Sequence, residues 1–210
     1  MDPLAYPVKS NERAEATQSL QSLLLFAVPV VLAIPLYAYG LLPGDAAYFT
    51  VYSVYILGSL AITRYNGRAP HEIGLSTRNL GESLLIGLAL VAGRLVMRIG
   101  AGAQIRPGLT VSTIAGQALY NFVFSGLGQE ILFRGLMLFS IWRWKGPKVA
   151  LVVSSILFGV MHVRMGIGYV FRTAVIGAWY GCAVYKTRSI VGPILAHGLY
   201  NFLFDFLLVS

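Results

Sequence analysis

Residues 19–42, SLQSLLLFAVPVVLAIPLYAYGLL, form an almost unbroken hydrophobic run near the start of the chain. An α-helix rises about 1.5 Å per residue, so about 20 apolar residues cross the hydrocarbon core of a bilayer. This run is long enough to do so. It exceeds the hydrophobic core of a signal peptide and lacks a small-residue cleavage site, so we interpret it as a retained transmembrane helix.

Six further hydrophobic runs follow along the chain. They comprise residues 46–63, 80–96, 111–142, 149–163, 168–185 and 190–209. Polar residues within 111–142 leave open a break there, which would raise the number of spans from seven to eight. No run alternates polar and apolar residues with the period of two that β-barrel strands show. Because backbone polar groups must be satisfied inside lipid, the sequence predicts an all-α, polytopic transmembrane bundle of about seven (six to eight) spans.

The composition of the whole chain agrees with a membrane protein. Of its 210 residues, 57% are hydrophobic and only 11% are charged, whereas soluble domains usually contain about 25% charged residues. The length suits a single membrane domain, which we expect at residues 19–210 after a polar N-terminal arm at residues 1–18. The single cysteine, Cys182, excludes an internal disulfide and a metal site built from several cysteines.

The net charge of +8 indicates membrane orientation rather than nucleic-acid binding, because the basic residues lie between the hydrophobic runs and not on one patch. The loop at residues 42–45 contains no Lys or Arg, whereas basic residues follow the second, fourth and sixth runs. The positive-inside rule therefore predicts a cytoplasmic N-terminus and no nucleic-acid partner. Five arginines near the opposite ends of the runs do not fit this rule: Arg94, Arg98, Arg106, Arg164 and Arg172.

Few ionisable side chains fall deep inside the hydrophobic runs. They are Glu130, Arg134, His162, His197 and Asp205. A charged residue at the centre of a span costs roughly 2.5–3.5 kcal/mol on insertion scales, so such residues usually face a cavity or a partner. Glu130 and Arg134 are four residues apart and can pair on one helix face. His197 and Asn201 have the same spacing.

Depth arithmetic allows these side chains to meet. At about 1.5 Å per residue from the cytoplasmic helix ends, Glu130, His162, His197 and Asn201 lie roughly 14–22 Å deep. A carboxylate in such a cluster can act as general base on water, and His and Asn can donate hydrogen bonds to an oxyanion. Zinc held by His162, His197 and a carboxylate is an alternative. The sequence contains no His-Glu-x-x-His motif, and we expect no cofactor.

Three motifs occur in order on successive hydrophobic runs, and together they resemble one protein family. They are Gln129-Glu130-x-x-x-Arg134, Phe158-x-x-x-His162 and His197-x-x-x-Asn201. They are similar to the patterns Glu-Glu-x-x-x-Arg, Phe-x-x-x-His and His-x-x-x-Asn of the CPBP family, which comprises CAAX prenyl proteases and bacteriocin-processing (Abi) membrane proteins. The resemblance covers residues 126–201, and the loop segment Glu72-Ile-Gly-Leu75 also looks like the family.

The resemblance implies a metal-free intramembrane glutamic endopeptidase in a prokaryotic plasma membrane. Its partners would be membrane lipids and membrane-associated or lipidated peptide substrates, which enter laterally or from the cytoplasm. In that family the first Glu of the pair is the general base, and the two His and the Asn hold the water and the oxyanion. The second Glu and the Arg support them. By this resemblance position 129 is that of the general base. His162, His197 and Asn201 would hold the water and the oxyanion. Glu130 and Arg134 would support them.

The sequence departs from the family at the general base, which is Gln129. An amide cannot take a proton from water near neutral pH. The chain is then an engineered inactive variant, a natural pseudoenzyme, or an enzyme in which Glu130 serves as base after a small helix rotation. Two functions other than proteolysis stay open. They are a silent peptide-binding protein of immunity or chaperone type, and a small proton-coupled transporter, although no inverted repeat is visible.

Overall fold

The structure, a computed structural model, describes residues 11–41, 43–100 and 102–209. The described residues form seven helices: α1 (Glu12–Ala38), α2 (Gly44–Tyr65), α3 (Leu80–Gly100), α4 (Val111–Lys145), α5 (Pro147–Val160), α6 (Ile167–Thr187) and α7 (Val191–Asn201, continued by a π-helix at Phe202–Leu207). Short 3-10 helices lie at Pro70–Ile73 and Val163–Met165. Two-residue strands, β1 (Gln104–Ile105) and β2 (Leu208–Val209), pair antiparallel. The all-α prediction is confirmed.

Each predicted hydrophobic run coincides with one of these helices. Within the described residues, α1, α2, α4 and α6 are long and apolar enough, by length and composition, to cross a membrane. The helices α3 and α5 contain shorter apolar stretches, Leu80–Gly93 and Pro147–Val160. The break considered in the fourth run does not occur, because α4 continues as one helix of 35 residues. It passes through π-helical stretches at Tyr120–Leu127 and Ile131–Met137, so the count of eight is wrong.

Helix α4 lies at the centre of the bundle. In its apolar window 78% of the residues are buried, against 28% in α1 and 33% in α2 and α6. The outer helices expose large apolar side chains instead, such as Val31, Leu57 and Phe171. This distribution matches a bundle whose outer surface contacts lipid and whose inner helix carries the polar residues.

Two boundaries differ from the sequence prediction. Helix α1 begins at Glu12, so residues 12–18 of the predicted arm are helical, while residues 1–10 lie outside the described residues. Helix α5 ends at Val160, and His162 therefore lies in the following turn rather than inside the span. At this end the His162 N–H donates to the Gly159 carbonyl oxygen over 2.9 Å. The His162 Nδ1 lies 2.8 Å from the Phe158 carbonyl oxygen, which the His162 N–H would bind in a longer helix.

The up-and-down course of the chain defines two ends of the bundle. The Asn66 amide, just after α2, donates to Gln21 Oε1 on α1 over 2.8 Å. Asn79, just before α3, donates to the carbonyl oxygen of Thr187 at the end of α6 over 3.2 Å. The starts of α1, α3, α5 and α7 therefore meet the ends of α2, α4 and α6. We name this the basic end, after the Lys and Arg residues that flank these helices.

A buried charge network closes the basic end. Glu15 is 1% exposed, and its carboxylate pairs with Arg68 and, over 2.9 Å, with Arg143 Nε. The same two guanidiniums donate to Gln18 Oε1 over 3.1 and 2.9 Å. Arg68 also binds the Glu72 carboxylate at 2.9 Å, and Arg143 donates to the Glu72 carbonyl oxygen. The network thus ties α1 to α4 and to the loop between α2 and α3.

Candidate active site

Gln129 lies midway along α4, on a single α-helical turn between the two π-helical stretches. Its side chain is buried, and its Nε2 donates to Tyr52 Oη and to Ser125 Oγ, each over 3.1 Å. Within the described part of the chain its Oε1 has no hydrogen-bond partner. Most buried polar atoms have a hydrogen-bond partner, and one without a partner costs free energy.

Gln129 lines a cavity of about 680 Å³, a size typical of ligand sites. The walls are aromatic and apolar with a few polar groups, which include Tyr48, Tyr52, Tyr120, Asn121, Ser125, Met161, His162, Tyr169 and Asn201. At its mouth the lining includes the exposed residues Arg106, Arg164, Met165 and Asp205. The cavity can therefore accept an extended, partly apolar segment while polar groups hold its backbone.

Three elements supply the polar wall beside Gln129. Helix α7 contributes Asn201, whose amide donates to Ser125 Oγ over 3.0 Å. The Ser125 hydroxyl thus joins the amides of Gln129 and Asn201. The turn after α5 contributes His162. Because the Nδ1 of His162 faces the Phe158 carbonyl, this nitrogen carries the proton and Nε2 has the lone pair.

Glu130 belongs to a second, fully enclosed group behind the cavity wall. Its Oε1 lies 2.7 Å from His197 Nδ1 and 3.4 Å from Arg134 Nη1. The Glu130 and Arg134 side chains are 0% exposed, and neither is among the residues that line the cavity. The Arg134 guanidinium lies 4.0 Å from the centroid of the Phe158 ring, which adds a cation–π contact. The pairing expected from the four-residue spacing of Glu130 and Arg134 is present.

The Phe158 ring contacts a histidine of each group. It contacts His162 on the cavity side, with ring centroids 5.1 Å apart, and His197 on the enclosed side at 5.8 Å. The six site residues predicted from the sequence are therefore close together, but they form two adjacent groups rather than one. Gln129, His162 and Asn201 line the cavity, while Glu130, Arg134 and His197 lie behind it. Their catalytic roles stay predictions.

The two histidines do not fit a three-ligand zinc site. Over residues 11–41, 43–100 and 102–209, no three His, Cys, Asp or Glu side chains lie close enough to hold a metal ion. The Nδ1 of His197 bonds to Glu130, and the Nδ1 of His162 bonds to a backbone carbonyl. We therefore assign no step to zinc.

Sequence reasoning missed two groups that contact Gln129. Ser125 precedes it by four residues on the same helix, and this spacing is a signal that could have been used. Tyr52 comes from α2, and no local pattern connects it with the motif. Arg106 and Arg164, at the mouth of the cavity, could have been singled out from the sequence, because neither fits the positive-inside rule.

Residues 111–203 match the protein family described as Rce1-like, type II CAAX prenyl endopeptidase. This segment runs from the start of α4 into the π-helix after α7 and contains all three motifs. The match covers 93 of the 210 residues, less than half of the chain. No curated protein and no solved structure matches the chain significantly. The match agrees with the expected resemblance to the CPBP family over this segment. Together with the four long apolar helices of the described residues, it supports an integral membrane protein.

Proposed function

We propose that the chain is a CPBP-type intramembrane endopeptidase scaffold that binds membrane-associated peptides in the cavity and lacks the carboxylate needed to cleave them. One observation carries this proposal. Gln129, at the family's general-base position, lines the cavity with His162 and Asn201, while the neighbouring carboxylate of Glu130 is enclosed in another group.

A carboxylate at position 129 would meet suitable partners. Gln129 now donates to Tyr52 Oη and Ser125 Oγ, and both hydroxyls can also donate to a carboxylate. Such a carboxylate could take the proton of a water molecule that attacks the peptide carbonyl carbon. Asn201 could then donate to the oxyanion. General-base catalysis typically raises a reaction rate by about 10²–10⁴-fold. With the amide of Gln129 in place of a carboxylate, the chain lacks this rate increase.

Glu130 is a poor substitute for that base in this arrangement. A helix rotation that brought it into the cavity would break its contacts with His197 at 2.7 Å and Arg134 at 3.4 Å. It would leave the Arg134 charge buried without its carboxylate, and breaking a buried ion pair typically costs about 3–5 kcal/mol. The proposal therefore assigns Glu130 the task of orienting His197.

The test compares the unmodified chain with Gln129→Glu, both purified in detergent. Each is incubated with membrane-associated peptides, with and without a prenylated C-terminus, and mass spectrometry reads out cleavage. We expect cleavage by Gln129→Glu only. In that background His162→Ala and Asn201→Ala should reduce the rate strongly, whereas His71→Ala, at an exposed loop position, should not.

The other outcomes separate the alternatives. Equal cleavage by both chains would show that position 129 is not the general base and would favour Glu130 as the base. Peptide binding without cleavage by either chain would favour a silent peptide-binding protein. Proton flux in liposomes that depends on Glu130 would favour a transporter.

A further inference from the structure

Tyr52 reaches the site from α2, outside the segment that matches the endopeptidase family. Its side chain is buried, and it lines the cavity with its Oη 3.1 Å from Gln129 Nε2. Ser125, the other partner of this amide, belongs to α4 itself. Tyr52 therefore connects a second helix to the side chain at position 129.

The backbones of α2 and α4 come close together beside this hydrogen bond. A Cβ added at Gly128, the residue before Gln129, would lie 3.0 Å from Tyr52 Cβ and 3.3 Å from Tyr52 Cα. Carbon atoms in favourable contact are about 3.5–4.0 Å apart, so the glycine permits an approach that a larger residue would oppose. The backbone of Tyr52 is thus packed against α4 at the position next to Gln129.

Aromatic neighbours hold the Tyr52 side chain in its direction. The centroid of its ring lies 6.2 Å from that of Tyr48, 6.3 Å from that of Tyr120 and 6.5 Å from that of Tyr55. Aromatic pairs attract each other at centroid distances of about 4.5–7 Å. Because these rings come from both α2 and α4, the phenol is held beside position 129 before any peptide binds, and no reorganisation is needed during a reaction.

The Tyr52 hydroxyl suits a carboxylate as well as an amide. A phenol O–H both donates and accepts, so it accepts from Gln129 here and would donate to a glutamate of the same shape. With Ser125 on the same terminal atom, two hydroxyls would hold one carboxylate oxygen. The other oxygen would take the place of Gln129 Oε1, which has no hydrogen-bond partner among the described residues, and could accept the proton of a water molecule.

We infer that Tyr52 is a positioning residue, which fixes the side chain at position 129 and orients a carboxylate there toward the attacking water. The proton of the water goes to that carboxylate, and Tyr52 keeps its own. The inference rests on the proposed function for its catalytic consequence, and on the hydrogen bond and the packing for the contact itself. It extends the site beyond the matched segment to α2.

The first measurement is the kcat and KM of peptide cleavage in the Gln129→Glu background. Tyr52→Phe removes the hydroxyl but keeps the ring. We expect kcat to fall by about 10- to 100-fold, the scale of a misplaced catalytic group, and KM to stay the same because the ring still lines the cavity. An unchanged kcat, or a change confined to KM, would overturn the inference.

Tyr55→Phe is the matched control for this variant. Tyr55 is also a buried tyrosine of α2, but its hydroxyl donates to the Phe26 carbonyl oxygen on α1 over 3.3 Å, and it does not line the cavity. Its removal should leave both kinetic constants unchanged. A fall in kcat equal to that of Tyr52→Phe would show a general effect of α2 and would overturn the inference.

A double-mutant cycle tests the contact without cleavage. Tyr52→Phe is introduced into the unmodified chain and into Gln129→Glu, and thermal unfolding is measured in detergent. We expect the larger loss of unfolding temperature in Gln129→Glu, because hydrogen bonds to a charged group are the stronger ones, whereas Tyr55→Phe should cost the same in both. Equal losses for Tyr52→Phe would overturn the inference. The expected cycle without peptide cleavage would count against the proposed function and leave the positioning role of Tyr52 standing.

A ring-fluorinated tyrosine at position 52 keeps the test decisive if Tyr52→Phe does not fold. Its fluorine NMR resonance should shift between the unmodified chain and Gln129→Glu, because the phenol changes from acceptor to donor. The same label at position 55 should not shift. No shift at position 52, or equal shifts at both positions, would overturn the inference.

Discussion

Gln129 and Glu130 are neighbours in the chain, but their surroundings are opposite. Adjacent residues on a helix point about 100° apart, so the Gln129 side chain enters the cavity while Glu130 turns toward His197 and Arg134. A carboxylate at 130 needs its cation because it is fully enclosed. A carboxylate at 129 would instead meet two hydroxyls and the cavity. The same functional group thus has different tasks at the two positions.

Removal of the Arg134 guanidinium should destabilise the protein strongly. Arg134→Ala leaves the Glu130 charge buried without its partner, a change that typically costs about 3–5 kcal/mol. The double variant Glu130→Gln with Arg134→Met should recover much of this loss, because no buried charge is left. Thermal unfolding in detergent measures both. Arg64→Ala at an exposed position is the control, and equal stability of Arg134→Ala and Arg64→Ala would contradict the account.

Gly177 on α6 leaves room for the same guanidinium. A Cβ at this position would lie 2.8 Å from Arg134 Nη2 and 3.2 Å from Phe158 Cδ1. We expect Gly177→Ala to cost about 1–3 kcal/mol through overpacking and to slow cleavage in the Gln129→Glu background. Gly116→Ala is the matched control, since nothing lies within 4 Å of its added Cβ. The same unfolding assay should show no loss for the control.

At the scale of the elements, the hydrophobic runs predicted the helices well because a span must be long and apolar. The four-residue spacing of Glu130 and Arg134 predicted their pairing. The same spacing predicted one shared face for His197 and Asn201, but His197 contacts Glu130 behind the cavity whereas Asn201 lines it. Contacts between segments that are distant in the chain have no recognisable spacing in the sequence. Neither the bond from Gln129 to Tyr52 nor the end of α5 before His162 could be foreseen, because both depend on how helices pack.

The crossing of α3 and α7 requires a glycine at position 192. An added Cβ would lie 2.1 Å from the carbonyl oxygen of Ser83 and 2.4 Å from its Oγ. The Gly192 N–H also donates to that Oγ over 3.1 Å. Because backbone atoms cannot move aside, Gly192→Ala should push the helices apart and cost about 1–3 kcal/mol or more. Gly93→Ala on α3 has open space and should leave the unfolding temperature unchanged or higher.

The loop at the basic end should give the protein acid sensitivity. Partial burial opposes the charge of Glu72, but the Ala69 N–H and the Arg68 guanidinium outweigh it and hold the pKa of Glu72 below its usual range. A lowered pKa stabilises the fold above the unfolded pKa of about 4.3 and loses that contribution as the pH falls through the folded value. Glu72→Gln should therefore lose less thermal stability than the unmodified chain when the pH is lowered. Glu82→Gln, in a more exposed pair, should not show this difference.

At the scale of the whole molecule, the two ends have different tasks. The basic end is closed by the network around Glu15, whose two guanidiniums come from the loop after α2 and from the end of α4. The opposite end contains the cavity mouth. Sequence analysis placed Glu15 and Gln18 in a polar arm because it could not see their partners, which lie far away in the chain. Its depth arithmetic allowed the motif residues to meet in one cluster, whereas the structure places them in two adjacent groups.

The most direct test of the central claim is the ratio of cleavage rates of Gln129→Glu and the unmodified chain on one membrane-associated peptide. The account predicts that the glutamate variant cleaves faster by about 10²-fold or more, the range of general-base catalysis, with similar peptide binding by both. A ratio near one, with measurable cleavage by both chains, would contradict it, because the catalytic base would then lie elsewhere than position 129.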